Sequence, residues 1–313
     1  MKSPLLVALS GAIACHGLPA AAPATKYLIT FGDSYSQTGF NPSGTQPSAN
    51  NILGNPPYPG WTTSNGDGSN WIGYMVKTYN TSLTLSYNFA VGGATTDASL
   101  IAGYQPYPTV LSLVDQVTQF VAGIGAGANG AGPWNAQNSL FGIWMGVNDV
   151  GNAWSRSEWN TLVQKVIDQY IAQVQILYNH GARRFVFLTV PPIYLTPNQL
   201  PYNVAASEGA AINQYSSLLA RGVSNFKARN PGAMTYVFNT TQPFLDVLNN
   251  PKAYGAQDAK CYSTTGTSCL WFNDCEYCLI AGNVCALLTT HTDHPGTAIH
   301  KKVAAGVAAL VKW

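Results

Sequence analysis

Four short segments of this chain carry side chains of the kind that acyl transfer uses. They are Gly32-Asp33-Ser34, Gly92-Gly93, Gly146-Val147-Asn148-Asp149 and Asp293-His294-Pro295. A serine hydroxyl is a weak nucleophile until a base takes its proton. An imidazole titrates close to neutral pH and can take it. Ser34 and His294 are therefore the candidate nucleophile and base. The tetrahedral intermediate of such a reaction carries an oxyanion that needs preorganised donors. Each segment alone has a plainer reading. A Gly-Asp-Ser is often a turn whose side chains accept backbone N–H bonds. Gly-Gly is a common turn, Asn148 can be a left-handed turn residue and His294 a surface-loop histidine. Together, and in this order, the four point to one site.

The first three segments each end a β-rich run. KYLITF at 26–31 reads as a buried strand, LTLSYNFAV at 83–91 as a second and SLFGIWM at 139–145 as a third. Residues 185–190, broken by Pro191-Pro192, and 234–238 are a fourth and fifth. Helical spacing covers 71–79, 108–121, 158–179, 208–229 and 297–311. In the long helix Leu162, Val166, Ile167, Tyr170, Val174 and Leu177 share one face. The strands lack polar alternation, as expected when helices cover both faces of a sheet. Alternating strands and helices predict an α/β layered domain with a parallel sheet. Ligands bind such a sheet beyond the carboxyl ends of its strands, where Ser34, Gly93 and Asn148 fall. The Gly/Pro/Asn-rich stretch 37–70 is too long for a simple connection and reads as a functional loop or lid. Residues 123–132 read as a flexible Gly/Ala loop. Asp33 is expected to cap a helix after Ser34. Asp149 and His300 are expected to be structural, and His180 a charge partner at the end of the long helix.

Composition bounds the function further. Hydrophobic residues make up 46% of the 313 and can supply a sizeable core. Charged residues are only 9%, against roughly 25% in ordinary soluble domains. The net charge is +2 with no basic run, which argues against nucleic acid and anionic membranes as partners. Lys2, the apolar stretch Leu5 to Ala14 and Ala20-Ala21-Ala22 read as a signal peptide over 1–22. The apolar stretch is shorter than the ~20 residues of a membrane span. A single domain over 23–313 is expected to be exported to the extracellular space.

Cysteine usage agrees with export. Cys15 falls within the signal, and Cys261, Cys269, Cys275, Cys278 and Cys285 cluster in an insertion near 255–290. The Cys275/Cys278 spacing is also compatible with zinc, but disulfides fit an exported chain better. Cys261–Cys269 and one bridge among the last three are expected, with one thiol left over. Asn80-Thr81-Ser82 and Asn239-Thr240-Thr241 are glycosylation sequons.

The segments Phe31-Gly32-Asp33-Ser34-Tyr35-Ser36, Asn88-Phe89-Ala90-Val91-Gly92-Gly93-Ala94, Gly146-Val147-Asn148-Asp149 and His294-Pro295 resemble the GDSL or SGNH hydrolase family. Their details look closest to fungal secreted carbohydrate acetylesterases, carbohydrate esterase family sixteen. The resemblance runs from the first strand to the last helix. It implies a three-layer α/β/α sandwich around a five-stranded parallel sheet, flavodoxin-like in topology. It also implies an oxyanion hole formed by the backbone N–H groups of Ser34 and Gly93 and the side-chain amide of Asn148. Gly93 is preferred to Gly92 by matching the segment after Asn88, and glycine is expected there because a Cβ would crowd the acyl carbon. The implied activity is removal of acetyl or other short acyl groups from carbohydrate esters such as hemicellulose oligosaccharides, by a monomer without cofactor or metal. Ser34 is not in a G-x-S-x-G elbow, which argues against the α/β-hydrolase fold proper.

The chain departs from the family at one place. The family sets an aspartate three residues before the histidine. Here that position is His291, and the nearest acid is Asp293, adjacent to His294. Neighbouring side chains seldom hydrogen-bond well, so three arrangements stay open. His294 works in a dyad oriented by a backbone carbonyl, Asp293 serves after a rearrangement of its loop, or an acid such as Asp274 or Glu276 reaches in. His291 is also compatible with a metal or anion site. Tyr58, Trp61, Trp71 and Trp154 are expected near the rim, where they would stack on sugar rings; ordinary packing is the plainer reading. Two other functions fit the same residues: a lipolytic acylhydrolase or broad arylesterase, and a carbohydrate-binding relative that has lost activity.

Overall fold

The computed structural model describes residues 24–104, 110–125, 132–263, 268–272 and 294–312. Its five apolar runs form one sheet: β1 (Lys26–Gly32), β2 (Thr84–Asn88), β3 (Ser139–Trp144), β4 (Arg184–Leu188) and β5 (Met234–Phe238). The strands pair in the order β2-β1-β3-β4-β5, all parallel. β3 is buried along its whole length, as a strand covered on both faces must be. Beyond Asn88 the chain no longer counts as strand, yet Phe89 still donates to the carbonyl of Thr30 and Val91 to that of Gly32. The longer second strand expected at 83–91 thus survives as a bonding pattern.

Helices cover the two faces. α1 (Trp71–Lys77), α6 (Thr241–Leu248) and the final helix α7 (Thr297–Val311) pack together on one side. α2 (Leu113–Ala122), α4 (Trp159–Asn179) and α5 (Ala205–Arg229) form the other layer. Local chemistry sets their ends. Ser112 and Asp115 form a capping box, so α2 starts at Leu113 and not at 108. Asn70 caps α1 by accepting from Ile72 and Gly73. The short α3 (Val147–Ala153) and α6 were not expected from the sequence. No helix among the described residues is long and apolar enough to cross a membrane.

A second, small sheet was also not expected. β6 (Tyr262–Ser263) lies parallel to β7 (Trp271–Phe272), which pairs antiparallel with β8 (His294–Pro295). Cys261 and Cys269 are disulfide-bonded, with 5.1 Å between their Cα atoms. The bond ties the chain just before β6 to the chain just before β7, so the Cys-rich segment builds the seat of His294.

Candidate active site

The turn that carries Ser34 is fixed before Ser34 is reached. Both backbone groups of Gly32 bond to Gln116 of α2. The Gly32 N–H donates to Oε1 at 3.0 Å, and Nε2 donates to the Gly32 carbonyl at 2.8 Å. Gln116 is fully buried, where a broken hydrogen bond costs roughly 1–3 kcal/mol. Asp33 then closes the turn. Its Oδ1 accepts from the Tyr35 N–H at 2.9 Å, and its carbonyl accepts from Ser36 and Gln37. No helix follows, so Asp33 is not the helix cap expected from the sequence; it makes a single side-chain-stabilised turn. Asn88 at the end of β2 donates to the Ser36 carbonyl at 2.6 Å and the Thr38 hydroxyl at 3.0 Å, and accepts from Thr30 at 2.9 Å. Ser34 sits in this frame only 8% exposed.

The segments of Gly93, after β2, and Asn148, after β3, meet beyond the end of β1. Asn148 Nδ2 donates to the carbonyl of Ala94 at 2.9 Å, which leaves its second amide hydrogen for another acceptor. Asp149 locks the same two segments. It accepts from the Thr96 N–H at 3.0 and 3.2 Å and from the Thr96 hydroxyl at 3.2 Å, and it is fully buried. Burial pushes the Asp149 carboxyl up to about 7 despite those donors. Gly93 has φ +78°, and a Cβ would lie 2.5 Å from Cβ of Tyr104. Backbone conformation and Tyr104 thus both require glycine at this position.

His294 reaches the site from the small sheet. Its ring meets the Tyr35 ring edge-on, with centroids 5.9 Å apart, and Tyr35 packs in the same way on Trp144 at 5.4 Å. Tyr35 follows Ser34 in the chain, so this contact brings the two candidate residues to one rim. Burial pushes the Asp33 carboxyl up to about 7, while the Tyr35 N–H and then the His294 charge pull it back. His300 of α7 is buried against Trp144. Burial and the His294 charge hold its imidazole down at about 3, so it stays neutral, in keeping with a structural role.

Asp293, Asp274, Glu276, His291, Cys275, Cys278 and Cys285, like residues 1–22, lie outside the described residues. Among the described residues no cluster of three or more His, Cys, Asp or Glu is placed to hold a metal. Of the four aromatics expected near the rim, Trp61 is 70% exposed. Trp71 is not at the rim; it is fully buried and donates from Nε1 to Ser36 Oγ at 2.9 Å. Tyr58 lies under the Lys77 ammonium and Trp154 packs on the core. His180 ends α4 through its own backbone N–H. Asn239 is exposed; Asn80 is half-buried, with its amide on the Ser82 carbonyl.

Three positioning residues escaped the sequence reading. Gln116 looks like any polar residue on a helix. Thr63 and Asn65 lie in the 37–70 loop, with no periodicity to single them out. Thr63 Oγ1 donates to the Ser34 carbonyl at 2.7 Å. Asn65 bonds to Cys269 and Thr297.

Comparison with known proteins bears on the family and the fold. The model of the GDSL-like lipase/acylhydrolase family matches residues 28–307. An acetylesterase from Thermothelomyces thermophilus is 48% identical over 97% of this chain and 94% of its own length. An acetylesterase from Hypocrea jecorina is 24% identical over 73% of each chain. A mutant of an acetyl-xylooligosaccharide esterase from Geobacillus superposes with a TM-score of 0.50 at 13% identity, covering 92% of this chain and 94% of that one; the likeness is one of fold.

Proposed function

We propose a function from one premise: the chain belongs to the GDSL-like lipase/acylhydrolase family. It is a carboxylic ester hydrolase, and the proposed activity is that of a secreted serine acetylesterase. Its proposed substrates are acetyl or other short acyl esters of carbohydrates, hemicellulose oligosaccharides among them. The observation that carries the reading is the packing of His294 on Tyr35, beside Ser34, at the rim where the Asn148 amide meets the loop of Gly93.

In the proposed reaction Ser34 Oγ attacks the acyl carbon as His294 takes the hydroxyl proton. The backbone N–H groups of Ser34 and Gly93 and the spare amide hydrogen of Asn148 receive the oxyanion. The intermediate collapses, and the sugar alcohol leaves with the proton from His294. Water then attacks the acyl-enzyme with His294 as base and releases acetate. Ser34 and His294 carry this scheme, and Asp293 is the proposed acid partner for the imidazole.

Exposed Trp61, in the loop tied to Ser34 through Thr63, supports a sugar substrate. The Cys261–Cys269 bond supports an oxidising destination, with 1–22 as the proposed signal and Asn80 and Asn239 as proposed glycan sites. The test is hydrolysis of p-nitrophenyl acetate and acetate release from acetylated xylo- and manno-oligosaccharides, by wild type and Ser34→Ala. The expected result is turnover by wild type and a loss of about 10³-fold or more in the variant. Wild type no faster than Ser34→Ala would leave a binding protein. Faster cleavage of long-chain esters than of acetate would make it a lipolytic relative.

A further inference from the structure

The start of α7 is capped by a residue from the other end of the chain. The N-cap of α7 is Gly296, which has no side chain to offer the first N–H groups. Asn65 supplies the missing acceptor. Its Oδ1 takes the Thr297 N–H at 3.0 Å and lies 3.5 Å from the Thr297 hydroxyl, across 232 residues of sequence. Its Nδ2 donates to the carbonyl of Cys269, next to Leu270 and β7, at 3.0 Å. Leu270 in turn accepts the Gly296 N–H at 2.7 Å. A Cβ on Gly296 would come within 2.5 Å of Asn65 Oδ1 and 2.8 Å of the Leu270 carbonyl. Gly296 is thus the residue that lets this amide approach.

These bonds enclose His294. On one side Asn65 holds Cys269, two residues before the strand that pairs with His294; on the other it holds the helix that begins three residues after His294. Two residues before Asn65, Thr63 grips the Ser34 carbonyl. The segment 63–65 therefore spans the nucleophile turn and the base-bearing strand, and Asn65 is only 2% exposed.

We propose that Asn65 is the positioning residue that sets His294 against Ser34. The inference rests on the esterase reading above. A polar side chain spent wholly on another segment's backbone fixes that segment, and a base displaced by about 1 Å loses on the order of 10²-fold in rate.

The experiment compares wild type, Ser34→Ala, Asn65→Ala and Asn65→Asp on p-nitrophenyl acetate, with the folded fraction of each measured by circular dichroism. Asn65→Asp keeps an oxygen on Thr297 and loses the donor to Cys269. The expected result is a fall in kcat per folded molecule of about tenfold or more in Asn65→Ala, with KM within about twofold. Asn65→Asp should recover at most part of that fall, because the helix cap is restored while the tie to Cys269 is lost. Asn65→Ala with kcat per folded molecule within twofold of wild type overturns the inference while the esterase reading stands. An Asn65→Asp variant as slow per folded molecule as Asn65→Ala supports the inference through the bond to Cys269. Wild type no faster than Ser34→Ala overturns the esterase reading itself.

Discussion

Ser34 and His294 meet at one rim but hang from two different kinds of structure. Ser34 belongs to the main sheet. Its turn is bonded on three sides, by the buried side chains of Gln116 in α2 and Asn88 in β2 and by the half-buried Thr63 of the 37–70 loop. His294 belongs to a strand of two residues in a small sheet, closed by a disulfide and an amide from a distant loop. The Ser34 side inherits its geometry from the same packing that makes the fold stable. The His294 side reaches the core through Leu270 and Trp271 and depends otherwise on a few separate ties. Damage to the first should lower stability and activity together, whereas damage to the second should lower activity first.

The largest effect is expected on the sheet side. Asp149→Ala strands the Thr96 N–H and hydroxyl and leaves the loop of Gly93 tied to α3 only through Asn148. Stability measured by urea unfolding at pH 7 should fall by roughly 2–4 kcal/mol. Turnover of p-nitrophenyl acetate should fall by about 10²-fold. A stable but slow variant would break the comparison, since it would show that this side too is separable from the core.

A smaller effect is expected from replacing Cys261 and Cys269 together with serine. The bond closes a separation of 8 residues. Turnover should fall about tenfold, while the thermal midpoint falls by no more than roughly 5 °C. If the protein instead unfolds and keeps full turnover per folded molecule, the disulfide serves the fold and not His294.

The smallest effect concerns pH. The His300 imidazole is held at about 3 when folded, against 6.5 in the unfolded chain. The unfolded chain therefore binds the extra proton as pH falls from 6.5 towards 3, and stability drops over that window by at most ~1.4 kcal/mol per pH unit. Asp33 and Asp149 act in the opposite sense. Their carboxyls sit at about 7 when folded, so stability is lost as pH rises from about 4 through 7. In wild type the two trends oppose each other between pH 4 and 6.5. His300→Gln removes one of them, so urea midpoints of this variant should rise between pH 7 and pH 5 more steeply than those of wild type. Equal slopes would mean that His300 does not titrate between the two states.

Much of the fold was legible because apolar runs and helical spacing are local signals. The strand at 234–238 and the helix at 297–311 lie where their residues place them. Ser34, Gly93 and Asn148 were legible as candidates because the ends of parallel strands are where such folds put their chemistry. The short elements were not. β6, β7 and β8 have two residues each, and a run of two has no period to read. Trp71 was misplaced at the rim because an indole near a polar loop looks the same whether it faces solvent or, as here, donates to Ser36 in the core.

The sequence by itself determined the alternation of strands and helices, the family and the chemical identity of the candidate nucleophile and base. Each is a property of residue types and their order, which survives in the unfolded chain. Tertiary structure alone decided how those residues are held. The bonds of Gln116 to Gly32, Asp149 to Thr96 and Asn65 to Thr297 join positions 53 to 232 residues apart. An amide or carboxylate at such a position has no local partner to announce it. Its role exists only once folding has brought the two segments together and shut water out from between them.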